Sequence, residues 1–169
     1  MQPTRRQGGG AGPASLKMIP PRRIKRELFT ALLLAAIFLA PNSLTGEELS
    51  EYGNPVTWVT IGRVRIKAEV VKTPEKIYLG LSHRQDLPES RGLLFIMPLS
   101  QVQTFCMRGM QFPLDIIWLV PGKVVGLENN VSPQYPGNLS SPEPVNFVLE
   151  VPGGFSEKYG IKVGDKASW

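Results

Sequence analysis

The side chains with chemical potential are few, and several fall together. Thr104 to Trp118, TFCMRGMQFPLDIIW, holds the single cysteine, Cys106, two methionines, Met107 and Met110, the cation Arg108 and the carboxylate Asp115. Asp115 lies in an apolar run. In an extended strand it shares a face with Ile117 and Leu119, where an unpaired charge would cost several kcal/mol. It therefore needs a partner. Arg84 and Arg108 are the expected ones, because a guanidinium grips a carboxylate through two parallel hydrogen bonds. Glu150, on the opposite face of its strand from Phe147 and Leu149, raises the same question. Arg84, Asp115, Arg108 and Glu150 are thus the candidate polar site, either a pocket or a structural ion pair, and the ion pair is the favoured reading.

Cys106, Met107 and Met110 offer soft donors for monovalent copper. Successive strand residues point to opposite faces, which separates Cys106 from Met107, and Gly109 interrupts the strand before Met110. The sulfurs are read first as packing, with Cys106 and Met110 kept as secondary metal candidates. His83 is the only histidine. Neither a Ser-His-Asp order nor a metal-spaced histidine pair surrounds it, so it is read as a surface or packing residue. No cofactor is expected.

The elements that must position these groups are mostly strands. Val56 to Ile61 is β-rich, and Arg63 to Val71 alternates, with Val64, Ile66, Ala68 and Val70 on one face and Arg65, Lys67 and Glu69 on the other. Thr73-Pro74-Glu75 reads as N-cap, proline at the first helical position and first-turn acid. A short helix to about Ser82 follows, with Ile77 and Leu81 inward. Gly92 to Met97, Gln103 to Arg108, Leu114 to Val120 and Lys123 to Glu128 read as strands, with a type II turn at Pro121-Gly122. Asn129 to Pro144, with four prolines, is the longest irregular loop and the expected binding edge. Its Asn-x-Ser sequons, at Asn130 and Asn138, are read as accidental. Val145 to Val151 is again strand-like, Gly154 to Tyr159 a short helix, and a last strand from Ile161 breaks at Gly164-Asp165. The fold class is α+β, predominantly β: a compact, partly closed, barrel-like antiparallel sheet of about six or seven short strands with two short helices.

The N-terminal part is of a different kind. Residues 1–27 are rich in Gly, Pro and basic side chains, and Leu28 to Ala40 is an apolar run broken only by Thr30. This is the plan of a signal peptide or signal anchor, too short for an ordinary membrane span. The division is 1–46 leader, 47–55 linker and 56–169 domain. Seven of the 19 basic residues but only one of the 14 acidic ones precede Glu47, so 12 basic residues face 13 acidic ones in the remainder. The basic balance therefore belongs to the leader, and nucleic-acid binding is not expected. Export to the periplasm or cell exterior is, with membrane contact only through residues 28–40 if they are retained. One cysteine allows no internal disulfide.

In order and spacing, TPEKIYLGLSHRQDLPESRGLLFIM, FCMRGMQFPLDIIWL, NFVLEVPGG and IKVGDKA resemble the family known as domain of unknown function 192, over Val64 to Ala167. The matching positions are Gly80, Leu81, Arg84, Gly92, Leu94, Phe95, Phe105, Met107, Pro113, Leu114, Asp115, Ile116, Leu149, Glu150, Gly164 and Asp165. Where the family pattern reads Phe-Trp-Met-Lys-Asn, this chain has Cys106 for the tryptophan, Arg108 for the lysine and Gly109 for the asparagine. The resemblance implies a compact β-rich domain, often exported or membrane-anchored, and no particular reaction. The functional expectation is an exported, monomeric cell-envelope domain that binds a ligand or protein partner without catalysis. The rival is an envelope enzyme with a polar Arg/Asp/Glu pocket, and the third reading is a copper binder.

Overall fold

The computed structural model describes residues 47–169. The signal or anchor expectation for residues 1–46 lies outside the described residues. No helix among the described residues is long and apolar enough to cross a membrane.

The elements run β1 (Val56–Ile61), β2 (Val64–Val71), α1 (Pro74–Leu79), β3 (Arg91–Gln101), β4 (Thr104–Phe105), β5 (Leu114–Val120), β6 (Lys123–Val131), β7 (Leu139–Ser140), β8 (Val145–Pro152), α2 (Phe155–Tyr159) and β9 (Ala167–Ser168). A seven-stranded sheet has the order β6-β5-β8-β3-β2-β1-β9, and β4 pairs with β7 in a separate two-stranded sheet. The fold is predominantly β, as the alternation predicts. The sheet is not wholly antiparallel, however: β2 and β3 pair in parallel, from Lys67 opposite Arg91 to Val71 opposite Phe95. The connection through α1 is the reason, since a parallel neighbour requires a crossover that returns the chain to the end where β2 began.

The sheet curls until its edges are joined by one segment. Near the C-terminus, Ala167 pairs with Ile61 of β1 while the Ala167 N–H donates to Gly122 O, and the Val124 N–H donates to Asp165 O at 2.9 Å. A strand edge that would present unpaired backbone groups is thereby covered. The inner face carries Val59, Ile61, Ile66, Ala68, Leu94, Ile117, Leu119, Leu149 and Val151. A second apolar cluster, with Leu81, Leu93, Phe95, Leu114, Ile116, Trp118 and Val148, occupies the other face of β3, β5 and β8. Strand β5 is therefore buried on both faces, as a central strand between two cores must be.

Three expected segments take other forms. The strand expected over Gln103 to Arg108 shrinks to Thr104–Phe105, because Gly109 turns the chain at φ +72 and Met107 folds into the core. The loop expected over Asn129 to Pro144 contains the end of β6 and the short strand β7, which pairs with β4. Residues 47–55, expected to link into the domain, pack on it: Leu49 bridges Pro55, and Asn54 is buried.

Candidate functional site

Helix α1 begins where the Thr73 hydroxyl accepts from the Lys76 N–H, with Pro74 at the first helical position. It ends at Gly80, whose φ of +52 and ψ of −132 an L side chain adopts only with strain. That turn drops Leu81 into the core and brings the backbone against the Phe95 ring. Two clefts meet at it, sharing Leu79, Gly80 and Ser82. The first, of about 420 Å³, is lined by Tyr52, Asn54, Lys76, His83 and Arg84. The second, of about 250 Å³, has Phe95, Met97, Phe105, Cys106 and Met110 in its walls, Arg108 among its lining residues and Glu150 in its floor.

Glu150 is the unusual group. On β8 it shares a face with Val148, and its cross-strand neighbours are Leu93 of β3 and Ile116 of β5, both fully buried. Only 6% of the residue is exposed, and Oε2 has no hydrogen-bond partner. Burial pushes the carboxyl up to about 8, against the opposing pull of the Arg84 charge. At neutral pH it is therefore a neutral acid, able to donate one hydrogen bond.

Arg84 leaves Glu150 uncompensated because it is committed elsewhere. Its two terminal nitrogens meet the Glu69 carboxylate at 2.6 and 3.1 Å, and Tyr52 stacks on the guanidinium at 3.6 Å. Glu69 also accepts from the Ser50 hydroxyl at 2.9 Å and the Asn54 amide at 2.7 Å. Burial works to raise the Glu69 carboxyl, but the bonds from Arg84, Asn54 and Ser50 outweigh it and hold the group below its usual range. This network clamps residues 50–54 to β2 and the loop after α1.

Asp115 meets neither arginine, contrary to expectation. Fully buried, it accepts from three backbone N–H groups: Asn130 at 2.7 Å, Gly154 at 2.8 Å and Ser156 at 2.6 Å. Backbone donors can satisfy a buried carboxylate without a countercharge. It thus ties the end of β6 to the start of α2, and it lines neither cleft at α1. Of the four predicted polar residues, the fold gathers Arg84, Arg108 and Glu150 around the α1 turn and leaves Asp115 apart.

Cys106 is exposed and Met107 buried, the separation that strand alternation predicts. Cys106 and Met110 line the Glu150 cleft together with Met97, a third sulfur that sequence spacing could not bring in. Among the described residues, no group of three His, Cys, Asp or Glu side chains is placed to hold a metal ion. His83, at φ 67, lines the first cleft, and its N–H donates to Gly109 O. Sequence reasoning missed Glu69, Ser50, Tyr52 and Asn54. The available signal was Glu69 itself, an acid on the polar face of β2, which could equally have pointed to solvent.

The family model described as DUF192, Uncharacterized ACR, matches residues 57–169. The chain belongs to the DUF192 family. The match agrees with the motif resemblance and brings no assigned activity. This DUF192 domain is similar to a crystal structure of a protein of unknown function from Novosphingobium aromaticivorans, with 30% identity and a TM-score of 0.70, covering 72% of this chain and 91% of that one. A second crystal structure, from Sinorhizobium meliloti and provisionally assigned as a transcription regulator, shares the fold at 23% identity and a TM-score of 0.65. The similarity covers 72% of this chain and 96% of that one. No curated protein matches the chain. In this DUF192 chain Gly109 stands where the family pattern has asparagine, and its φ of +72 explains both: these are the residue types that occupy left-handed backbone most readily. Cys106, in place of tryptophan, puts a small side chain in the wall of the Glu150 cleft.

Proposed function

We propose that this protein is an exported cell-envelope domain that binds a small ligand, without catalysis, in the cleft floored by Glu150. One observation carries the reading: the buried Glu150 carboxyl, one of whose oxygens has no partner, is among the lining residues of an open cleft of mixed apolar and polar character. Buried polar atoms in folded proteins are nearly always paired, so such an atom in a pocket floor points to a partner from outside. Export rests on the basic leader and the apolar run at 28–40. The charge balance of 12 basic against 13 acidic residues from Glu47 onward gives no support to nucleic-acid binding. The enzyme reading needs Arg84, Asp115 and Glu150 around one pocket, and Asp115 is engaged elsewhere by backbone donors.

The test is a fragment screen on the full chain labelled at its methionine methyls. Ligands of the cleft shift Met97 and Met110 and leave the buried Met107 nearly unmoved. A screen in which no fragment shifts Met97 or Met110 would sink the reading. The copper alternative keeps one favourable observation, the three sulfurs of Met97, Cys106 and Met110 in one cleft wall. Titration with monovalent copper under reducing conditions separates it: tight binding abolished by Cys106→Ser establishes copper, and binding unchanged by that variant removes it.

A further inference from the structure

Resting on the cleft assignment above, we infer that the ligand is a small organic anion with a carbonyl-type oxygen, bound with that oxygen on the Glu150 carboxyl and its negative group at Arg108. Three features of the cleft lead there.

The floor is a donor. Glu150 lies between Leu93 and Ile116 and takes part in no ion pair, since the nearby Arg84 is held by both oxygens of Glu69. A neutral carboxyl there offers one O–H, and the group is under-satisfied within the fold, with no partner on Oε2. An acceptor oxygen completes it, whereas a methyl group leaves it unpaired, which a buried polar group tolerates poorly.

The lining also holds an unspent cation. Arg108 is exposed, stacks over Tyr78 at 4.3 Å, and takes part in none of the three ion pairs among the described residues. One face of the guanidinium is covered by the ring while its N–H edge stays open to bind a carboxylate. With Arg84 neutralised by Glu69 and Glu150 protonated, Arg108 sets the local sign as positive. A cationic ligand would meet like charge there.

Between floor and cation the walls are apolar and soft, from Phe95, Phe105, Met97 and Met110. A volume of about 250 Å³ is small against the usual range for ligand pockets, so a compact metabolite suits it better than a drug-sized molecule. Short keto acids have this chemistry, and so do small acyl amides of amino acids.

Three probes of similar length isolate the floor: levulinate, valerate and δ-aminovalerate, titrated into the full chain and read at the Met97 and Met110 methyls. Levulinate is expected to bind roughly tenfold more tightly than valerate, the worth of one hydrogen bond to a buried donor. Glu150→Leu should erase that preference while Glu150→Gln, which keeps an N–H donor, retains it. Arg108→Gln, an exposed change, should weaken levulinate and valerate alike. Equal affinity for levulinate and valerate, or tightest binding of δ-aminovalerate, overturns the ligand chemistry and leaves the cleft assignment standing, because the methyls still report occupancy. Silence at both methyls for all three probes overturns the ligand chemistry, and silence across the wider fragment screen removes the cleft assignment as well.

Discussion

Replacing Glu150 by glutamine should stabilise the protein, by an amount that grows with pH over a defined window. The carboxyl has an ordinary value of 4.5 and is held at about 8 in the folded state. Between those values the unfolded chain has released the proton while the folded chain still holds it, so rising pH favours unfolding. Each pH unit in this window costs the wild type about 1.4 kcal/mol. The loss reaches about 3 kcal/mol at pH 7 and about 5 kcal/mol once the pH passes the folded value. Below the ordinary value both states are protonated and the penalty vanishes. Glutamine keeps the shape and a donor but does not titrate. Denaturant unfolding of both proteins across the pH range, read as the difference between them, removes the contribution of every other group. The difference should be constant in acid, widen in favour of Glu150→Gln through neutrality, and level off above about pH 8. A difference that stays flat, or one that favours the wild type as pH rises, would refute the reasoning, since the second result means a carboxylate paired with Arg84.

Other substitutions probe the remaining groups. Asp115→Ala strands three N–H groups, one buried and two part-buried, and should cost about 4 kcal/mol, while Asp115→Asn, which keeps the two bonds to Oδ1, should cost about 2 kcal/mol. Equal costs in denaturant unfolding would show that the two bonds to Oδ1, from Asn130 and Gly154, contribute nothing. Glu69→Gln breaks the largely buried pair with Arg84 and should cost about 3 kcal/mol at neutral pH. Because the Glu69 carboxyl is held below its usual range, the pair's contribution is present above the unfolded value and is lost as pH falls through the folded one. The variant should therefore have a flatter acid limb, and an unchanged acid limb contradicts the clamp. Cys106→Trp, at an exposed position, should leave stability within about 0.5 kcal/mol of the wild type. It should weaken binding in the cleft roughly tenfold, as measured by methionine methyl titration, by filling the wall that the small side chain leaves open.

How far the sequence led depends on the kind of information needed. The alternation of Val64 to Val70, the Thr73-Pro74 start of α1 and the Pro121-Gly122 turn are local, and each stands where expected. The parallel pairing of β2 with β3 is not local, because nothing in either strand's periodicity encodes the direction of its neighbour. Asp115 shows a subtler limit. The need for a partner followed from burial, but the partner was sought among charged side chains, whereas the fold supplies three backbone N–H groups from segments 15 to 41 residues away. Glu150 was visible as a carboxylate on the face opposite Leu149. Its isolation follows only from register, which sets Leu93 and Ile116 beside it, and from the commitment of Arg84 to Glu69. Burial can be read from a strand pattern, but the loss of a countercharge to a third residue cannot.

The claim that the Glu150 carboxyl binds a ligand oxygen is tested most directly by a crystal structure of the protein soaked with levulinate. The ketone oxygen is expected within about 3 Å of a Glu150 carboxyl oxygen and the carboxylate against Arg108. Levulinate bound away from the Glu150 cleft, or a cleft holding only water against the Glu150 carboxyl, would contradict that claim.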